Sequence, residues 1–243
     1  MIGINPLTWK EQSEQYVETV TVLAKLADAQ AEKKITTVML ADHFKTSKDV
    51  EELGQLFTHY GSDKANVHNY YLAYGSLVKR ELPLSILEIG LGTNNTNFRS
   101  NMGKDGKPGA SLRAFRDWAP QARVYGADID KGILFTEERI QTYFVDQLRP
   151  ETLTELVTQL PKQGFDLIID DGLHLPVANL NTLEFSLKLL KPGGFFVVED
   201  ILEQYLPIWK IVVSLLSDTY RTQLFEATGE KKPEYVLVVE KNK

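Results

Sequence analysis

From Ser85 onward the chain alternates between short, largely apolar runs and longer mixed segments. The runs are Ile86–Ile89, Val124–Ala127, Thr142–Val145, Leu167–Ile169 and Phe195–Val198. Each is too short for a helix and lacks the in–out alternation of a half-exposed strand, so each fits a strand covered on both faces. The intervening segments Ser111–Trp118, Pro150–Gln159 and Val177–Leu190 are long enough and mixed enough to be helices. Strand and helix in strict alternation predict right-handed crossovers and a parallel sheet, an α/β architecture. A further helix over about Tyr205–Ser217 precedes two more strands, Gln223–Ala227 and Tyr235–Val239. The Gly-Glu-Lys-Lys-Pro connection between them reads as a hairpin, so the sheet ends antiparallel. The longest loop is Thr93–Gly109, rich in Asn, Gly and Lys.

Before Ser85 the texture is helical. Val17, Val20, Leu23, Ala24 and Ala27 recur at helix-face spacing, and Thr46-Ser47 precede Lys48–Leu56 as a capped second helix. The expected organisation is a helical cap or oligomerisation segment over residues 1–57 and a main domain over 58–243.

Composition narrows the chemistry. The 243 residues carry 27 Lys plus Arg against 33 Asp plus Glu, a net charge of -6, so there is no basic footprint for a nucleic-acid backbone. Cys is absent, which excludes disulfides, zinc thiolates and a thiol nucleophile. There is no apolar run of membrane-spanning length, and Met1–Glu11 lacks the basic start and apolar core of a secretory signal, so the expected location is cytoplasmic.

The strand ends carry acids. The first strand closes in Leu87-Glu88-Ile89-Gly90-Leu91-Gly92, where glycines let a ligand approach the backbone. Glu88 would repel a pyrophosphate and suits a ligand carrying positive charge. The second strand ends Gly126-Ala127-Asp128, a carboxylate placed to accept both ribose hydroxyls, and the third ends Val145-Asp146-Gln147, where Asp146 can accept from an adenine amino group. Together these describe a nucleoside without phosphate. The fourth strand runs into Asp170-Asp171-Gly172-Leu173-His174 and the fifth into Glu199-Asp200. Four carboxylates meeting in one crevice repel one another. A divalent cation relieves that, and an all-oxygen donor set favours Mg²⁺, or another hard cation such as Mn²⁺ or Ca²⁺, over softer metals. Such a cation lowers the pKa of a bound hydroxyl, and His174, with an ordinary pKa near 6.5, suits a general base at neutral pH.

The ordered set E-I-G-L-G, G-A-D-I, V-D-Q, D-L-I-I-D-D and L-K-P-G-G-F resembles the class I S-adenosylmethionine-dependent methyltransferases. That resemblance implies a Rossmann-like seven-stranded sheet with its last strand antiparallel, Gly90 and Gly92 beneath the methionine part of S-adenosylmethionine, Asp128 on the ribose, and Asp146 with Gln147 at the adenine. Tyr60-Gly61-Ser62-Asp63-Lys64, His68, Tyr70-Tyr71, Gly109-Ala110-Ser111-Leu112-Arg113, D-D-G-x-H and V-V-E-D-I are similar to the metal-dependent macrolide-sugar O-methyltransferases. The resemblance implies Asp171, Glu199 and Asp200 as metal ligands, Asp171 and His174 as the catalytic pair with His174 the base, Asp170 on the cofactor side, and Lys64 and His68 near the methionine end. Leu173 stands where that family usually has Ser. The expected activity is O-methylation of a hydroxylated small molecule, a sugar or natural product. A metal-independent methyltransferase and a non-catalytic cofactor-binding partner of an oxygenase are the alternatives. A homo-oligomer is expected from the extra apolar helix face.

Overall fold

The computed structural model describes residues 9–30, 36–216, 219–227 and 233–243. Their strands are β1 (Thr37–Met39), β2 (Ser85–Ile89), β3 (Arg123–Asp128), β4 (Thr136–Glu137), β5 (Ile140–Phe144), β6 (Phe165–Asp170), β7 (Leu190–Leu202), β8 (Tyr220–Ala227) and β9 (Glu234–Lys241). They form one sheet in the order β1-β8-β9-β7-β6-β2-β3-β5-β4. The pairs β2–β3, β2–β6, β3–β5 and β6–β7 are parallel, and β9 runs antiparallel to both β7 and β8. All seven strands read from the sequence are present. Most of the predicted turn between the last two, Gly229–Pro233, lies outside the described residues, as do residues 1–8 of the N-terminal stretch. Two strands were not foreseen. β1 adds to one edge beside β8 and β4 to the other beside β5, and runs of three and two residues are too short to leave a pattern.

The central strands feed two cores. Ile86, Leu167 and Ile169 face one side, packed with Leu53, Phe57, Leu112 and Phe115. Leu87 and Ile168 face the other, packed with Leu153, Leu156 and Trp209. That alternation is the period-2 pleat of a strand covered on both sides, which is why these runs are largely apolar. The first layer comprises α3 (Lys48–Tyr60), α5 (Tyr71–Leu77) and α6 (Ala110–Trp118), and the second α7 (Pro150–Gln159), α8 (Pro176–Leu189) and α9 (Leu206–Leu215). Trp118 Nε1 donates to Asp49 O at 2.7 Å and ties α6 to the first turn of α3. Ser47 caps α3, its hydroxyl accepting from Val50 N at 3.3 Å.

α1 (Trp9–Gln30) packs along α9, and residue 57 falls inside α3, where Leu53 and Phe57 are fully buried in the main core. Of the predicted α1 face, Ala24 is buried, whereas Val17 and Leu23 remain exposed.

Candidate active site

The carboxyl ends of β2, β3, β6 and β7 open onto a cavity of about 880 Å³. Ligands bind at this edge of an open α/β sheet. Two backbone hydrogen bonds hold its floor: Gly90 N donates to Ala127 O and Asp171 N to Ile89 O, both at 2.8 Å. Gly90 has φ +96°, and a Cβ there would overlap the Asp171 carbonyl oxygen, so no other residue fits beneath this turn.

β7 delivers its two acids through a bulge. The pairing of β7 with β9 shifts register between Val198 and Ile201, leaving Glu199 and Asp200 out of the ladder, and Asp200 takes φ +54°. The bulge buries Glu199 and turns Asp200 to the cavity wall. His174, in the turn after β6, also has φ +54°. Positive φ at a non-glycine residue costs about 1–3 kcal/mol and persists only where its surroundings impose it. Here it brings three side chains together: one ligand atom each from Asp171, His174 and Asp200 lie within 4.8 Å of one another. His174 Nε2 is 4.0 Å from Asp171 Oδ1 and 3.8 Å from Asp200 Oδ2, and its Nδ1 is buried without a hydrogen-bond partner.

Beneath this group lies a buried ionic cluster. Lys64, on the short helix α4 (Asp63–Asn66), places Nζ 2.5 Å from Asp171 Oδ2, 2.5 Å from Glu199 Oε2 and 3.2 Å from Glu88 Oε1. Burial alone would push its pKa down, but the charges of Asp171, Glu199 and Glu88 outweigh burial and hold the ammonium well above its usual value. Burial raises Glu88 to about 7 and Glu199 well above the carboxylate range, with Lys64 opposing both shifts. Ser111 Oγ donates to Glu88 Oε2 at 2.5 Å, and the Tyr74 hydroxyl donates to Glu199 Oε1. Tyr70 donates to Asp200 Oδ1 at 2.6 Å.

No family model matches the chain. It is 30% identical over 165 residues to an 8-demethyl-8-alpha-L-rhamnosyl tetracenomycin-C 2'-O-methyltransferase of Streptomyces olivaceus, covering 67% of this chain and 41% of that protein. It is 34% identical over 99 residues to a demethylmacrocin O-methyltransferase of Streptomyces fradiae, covering 41% of this chain and 25% of that one. The chain thus spans less than half the length of these curated relatives. Among solved structures, the MycE methyltransferase from the mycinamycin biosynthetic pathway, in complex with Mg and SAH, superposes with a TM-score of 0.63 at 24% identity, covering 79% of this chain and 55% of that one. The fold is that of the S-adenosylmethionine-dependent methyltransferases.

Within this methyltransferase fold the predicted residues divide into two groups. Gly90, Gly92, Asp128, Asp146, Gln147, Asp171, His174 and Asp200 line the cavity. Lys64, His68, Glu88, Asp170 and Glu199 are not among the described residues that line it. Asp170 is fully buried, where its oxygens accept from Gln147 Nε2 at 2.8 Å and Asn179 Nδ2 at 3.0 Å. Glu88 Oε1 lies 3.2 Å from Lys64 Nζ, and the Glu199 oxygens accept from Lys64 and Tyr74. His68 stacks on Tyr70 and sets Nδ1 2.7 Å from Glu234 Oε2. Two lining residues are already engaged. Asp128 accepts from Leu91 N at 2.7 Å and from Asp130 N at 2.8 Å, and Gln147 Oε1 accepts from Leu173 N at 2.9 Å.

Sequence reasoning missed Tyr74 and Ser111 as partners of the buried acids, and Asp63, Phe98 and Met102 as cavity walls. Tyr70 and Tyr74 are four residues apart, one helical turn, and that spacing was the available signal.

Proposed function

We propose that the protein is a divalent-metal-dependent O-methyltransferase acting on a hydroxyl of a small sugar-bearing or related natural product, with S-adenosylmethionine as methyl donor. The observation that carries this reading is the convergence of Asp171, His174 and Asp200 beside the Gly90–Gly92 turn, in the fold of the methyltransferases.

The residues fit both groups. Gly90 and Gly92 bring bare backbone to the cavity wall, and Asp128 and Asp146 stand at successive strand ends, where a nucleoside's hydroxyl and amino groups need acceptors. Asp171 and Asp200 present two hard carboxylates to one point, and the orphaned Nδ1 of His174 marks that side chain as poised for a partner. Asp171 and Asp200 would hold Mg²⁺, which supplies Lewis acidity toward a bound hydroxyl. Glu199, gripped by Lys64 and Tyr74, would act from behind by holding that arrangement in place.

His174 then removes the acceptor proton at Nε2, the nitrogen that faces the two carboxylates, and their charge stabilises the imidazolium that results. S-adenosylmethionine supplies a methyl group already activated on sulfonium. What remains for the chain is to orient the acceptor oxygen and take its proton. Tyr205 and Leu202 line the mouth and would contact the acceptor. The exposed Val17 and Leu23 on α1 support self-association.

Isothermal titration of wild type, Asp171→Asn and His174→Ala with S-adenosylmethionine and with Mg²⁺, together with methyl transfer in the presence of a chelator, tests the proposal. Cofactor binding in all three, a Mg²⁺ signal lost in Asp171→Asn, and turnover lost in His174→Ala with Mg²⁺ still bound are expected. If His174→Ala abolishes Mg²⁺ binding, the imidazole is a ligand and not the base. Turnover unaffected by chelation would overturn metal dependence.

A further inference from the structure

Resting on the S-adenosylmethionine reading, a charge problem remains at the amino-acid end of the cofactor. That end carries a sulfonium, an ammonium and a carboxylate. The cavity wall has five carboxylates, from Asp63, Asp128, Asp146, Asp171 and Asp200. These suit the two positive centres and oppose the negative one. The sequence reading put Lys64 near this end, yet Lys64 is only 2% exposed and its Nζ already meets three carboxylates, so it has no direction left in which to receive a fourth.

Among the described lining residues one Lys or Arg side chain remains, Arg99. It sits in the Thr93–Gly109 loop, seven positions after Gly92. The loop folds back over that glycine: Met102 N donates to Thr93 O at 2.9 Å, and the Met102 sulfur occupies the space a Gly92 side chain would take. Asn101 Nδ2 donates to Phe98 O at 2.7 Å and Asn101 Oδ1 accepts from Gly103 N at 3.0 Å, which shapes the turn that carries Arg99. Arg80, Arg113 and Arg116 are paired with carboxylates, whereas Arg99 makes no ion pair or hydrogen bond among the described residues. We propose that Arg99 is the anion anchor of the cavity and binds the α-carboxylate of the cofactor's methionine moiety. A guanidinium is suited to this, since its planar fork matches a carboxylate with two parallel N–H donors and stays charged at every working pH. The loop then does more than cover the site: it carries the one Lys or Arg side chain among the described lining residues to the methionine end, beside the glycine turn.

The test compares two probes by titration calorimetry. S-adenosylhomocysteine carries the carboxylate, and 5′-methylthioadenosine keeps the nucleoside and thioether without it. The proteins are wild type, Arg99→Gln, Arg99→Lys and, as a control on the same loop, Lys104→Gln. Arg99→Gln is expected to weaken S-adenosylhomocysteine binding by about tenfold or more while leaving 5′-methylthioadenosine unchanged. Arg99→Lys should fall between the two, and Lys104→Gln should match wild type. Equal loss for both probes, or undiminished S-adenosylhomocysteine binding in Arg99→Gln, overturns the assignment while leaving the cofactor reading intact. If wild type binds neither probe, the cofactor reading itself fails and the assignment falls with it.

Discussion

Lys64 Nζ stands 2.5 Å from Asp171 Oδ2, joining a four-residue helix to the turn after β6 across 107 positions of sequence. The contact makes Asp171 a bridge: one oxygen faces the buried ammonium and the other faces His174 and Asp200. Removing one member of a buried ionic group leaves the others uncompensated, a loss of about 3–5 kcal/mol. Lys64→Met is therefore expected to lower unfolding stability by that order in urea titrations of the metal-free protein. A variant as stable as wild type would show that the three acids are neutral in the fold and need no cation.

Gly90 and Gly92 both hold positive φ, at +96° and +72°, but their neighbours differ. A side chain at 90 meets the Asp171 backbone, which is pinned by its hydrogen bond to Ile89. One at 92 meets the Met102 sulfur, the movable end of a flexible chain. Both alanine variants carry the left-handed penalty of about 1–2 kcal/mol, and Gly90→Ala adds a backbone displacement. Gly90→Ala should unfold at the lower urea concentration, and equal midpoints would contradict the packing described.

His68 gives the stability a pH dependence. Burial pushes its pKa down, but the hydrogen bond to Glu234 and the charges of Asp200, Glu234 and Asp63 more than offset this, and the net shift is upward from 6.5. The fold thus holds the proton more tightly than the unfolded chain. The resulting stabilisation is fully present below 6.5 and is lost as pH rises through the higher folded value. In metal-free buffer, the gap in urea midpoint between wild type and His68→Gln should shrink as the pH is raised from about 5.5 to about 8.5. A gap that does not change with pH would remove the linkage.

Tyr70 orients Asp200 through its 2.6 Å hydrogen bond and would touch no metal itself. Loss of such an outer partner costs roughly 10- to 100-fold in metal affinity, so Tyr70→Phe should weaken Mg²⁺ binding by that factor in titration calorimetry. Unchanged affinity would place the cation elsewhere.

What the sequence determined by itself follows from local rules. Ile86–Ile89 and Leu167–Ile169 are largely apolar without in–out alternation, so they had to be strands covered on both faces. Gly90, Asp128 and Asp171 directly follow or end such strands, and topology sends those ends to one edge. The acids were legible for this reason, as was the class of the sheet. Only the tertiary structure decided how those acids are shared out. Whether Glu199 or Asp200 faces the cavity depends on a bulge set by the register of β7 on β9, between chain segments roughly thirty-five residues apart that carry no mark of it. Whether Lys64 meets ligand or protein depends on how α4 packs against α3. Those are long-range packing outcomes, and they leave no period in the sequence because the partners of a buried charge are chosen by distance in space, not along the chain.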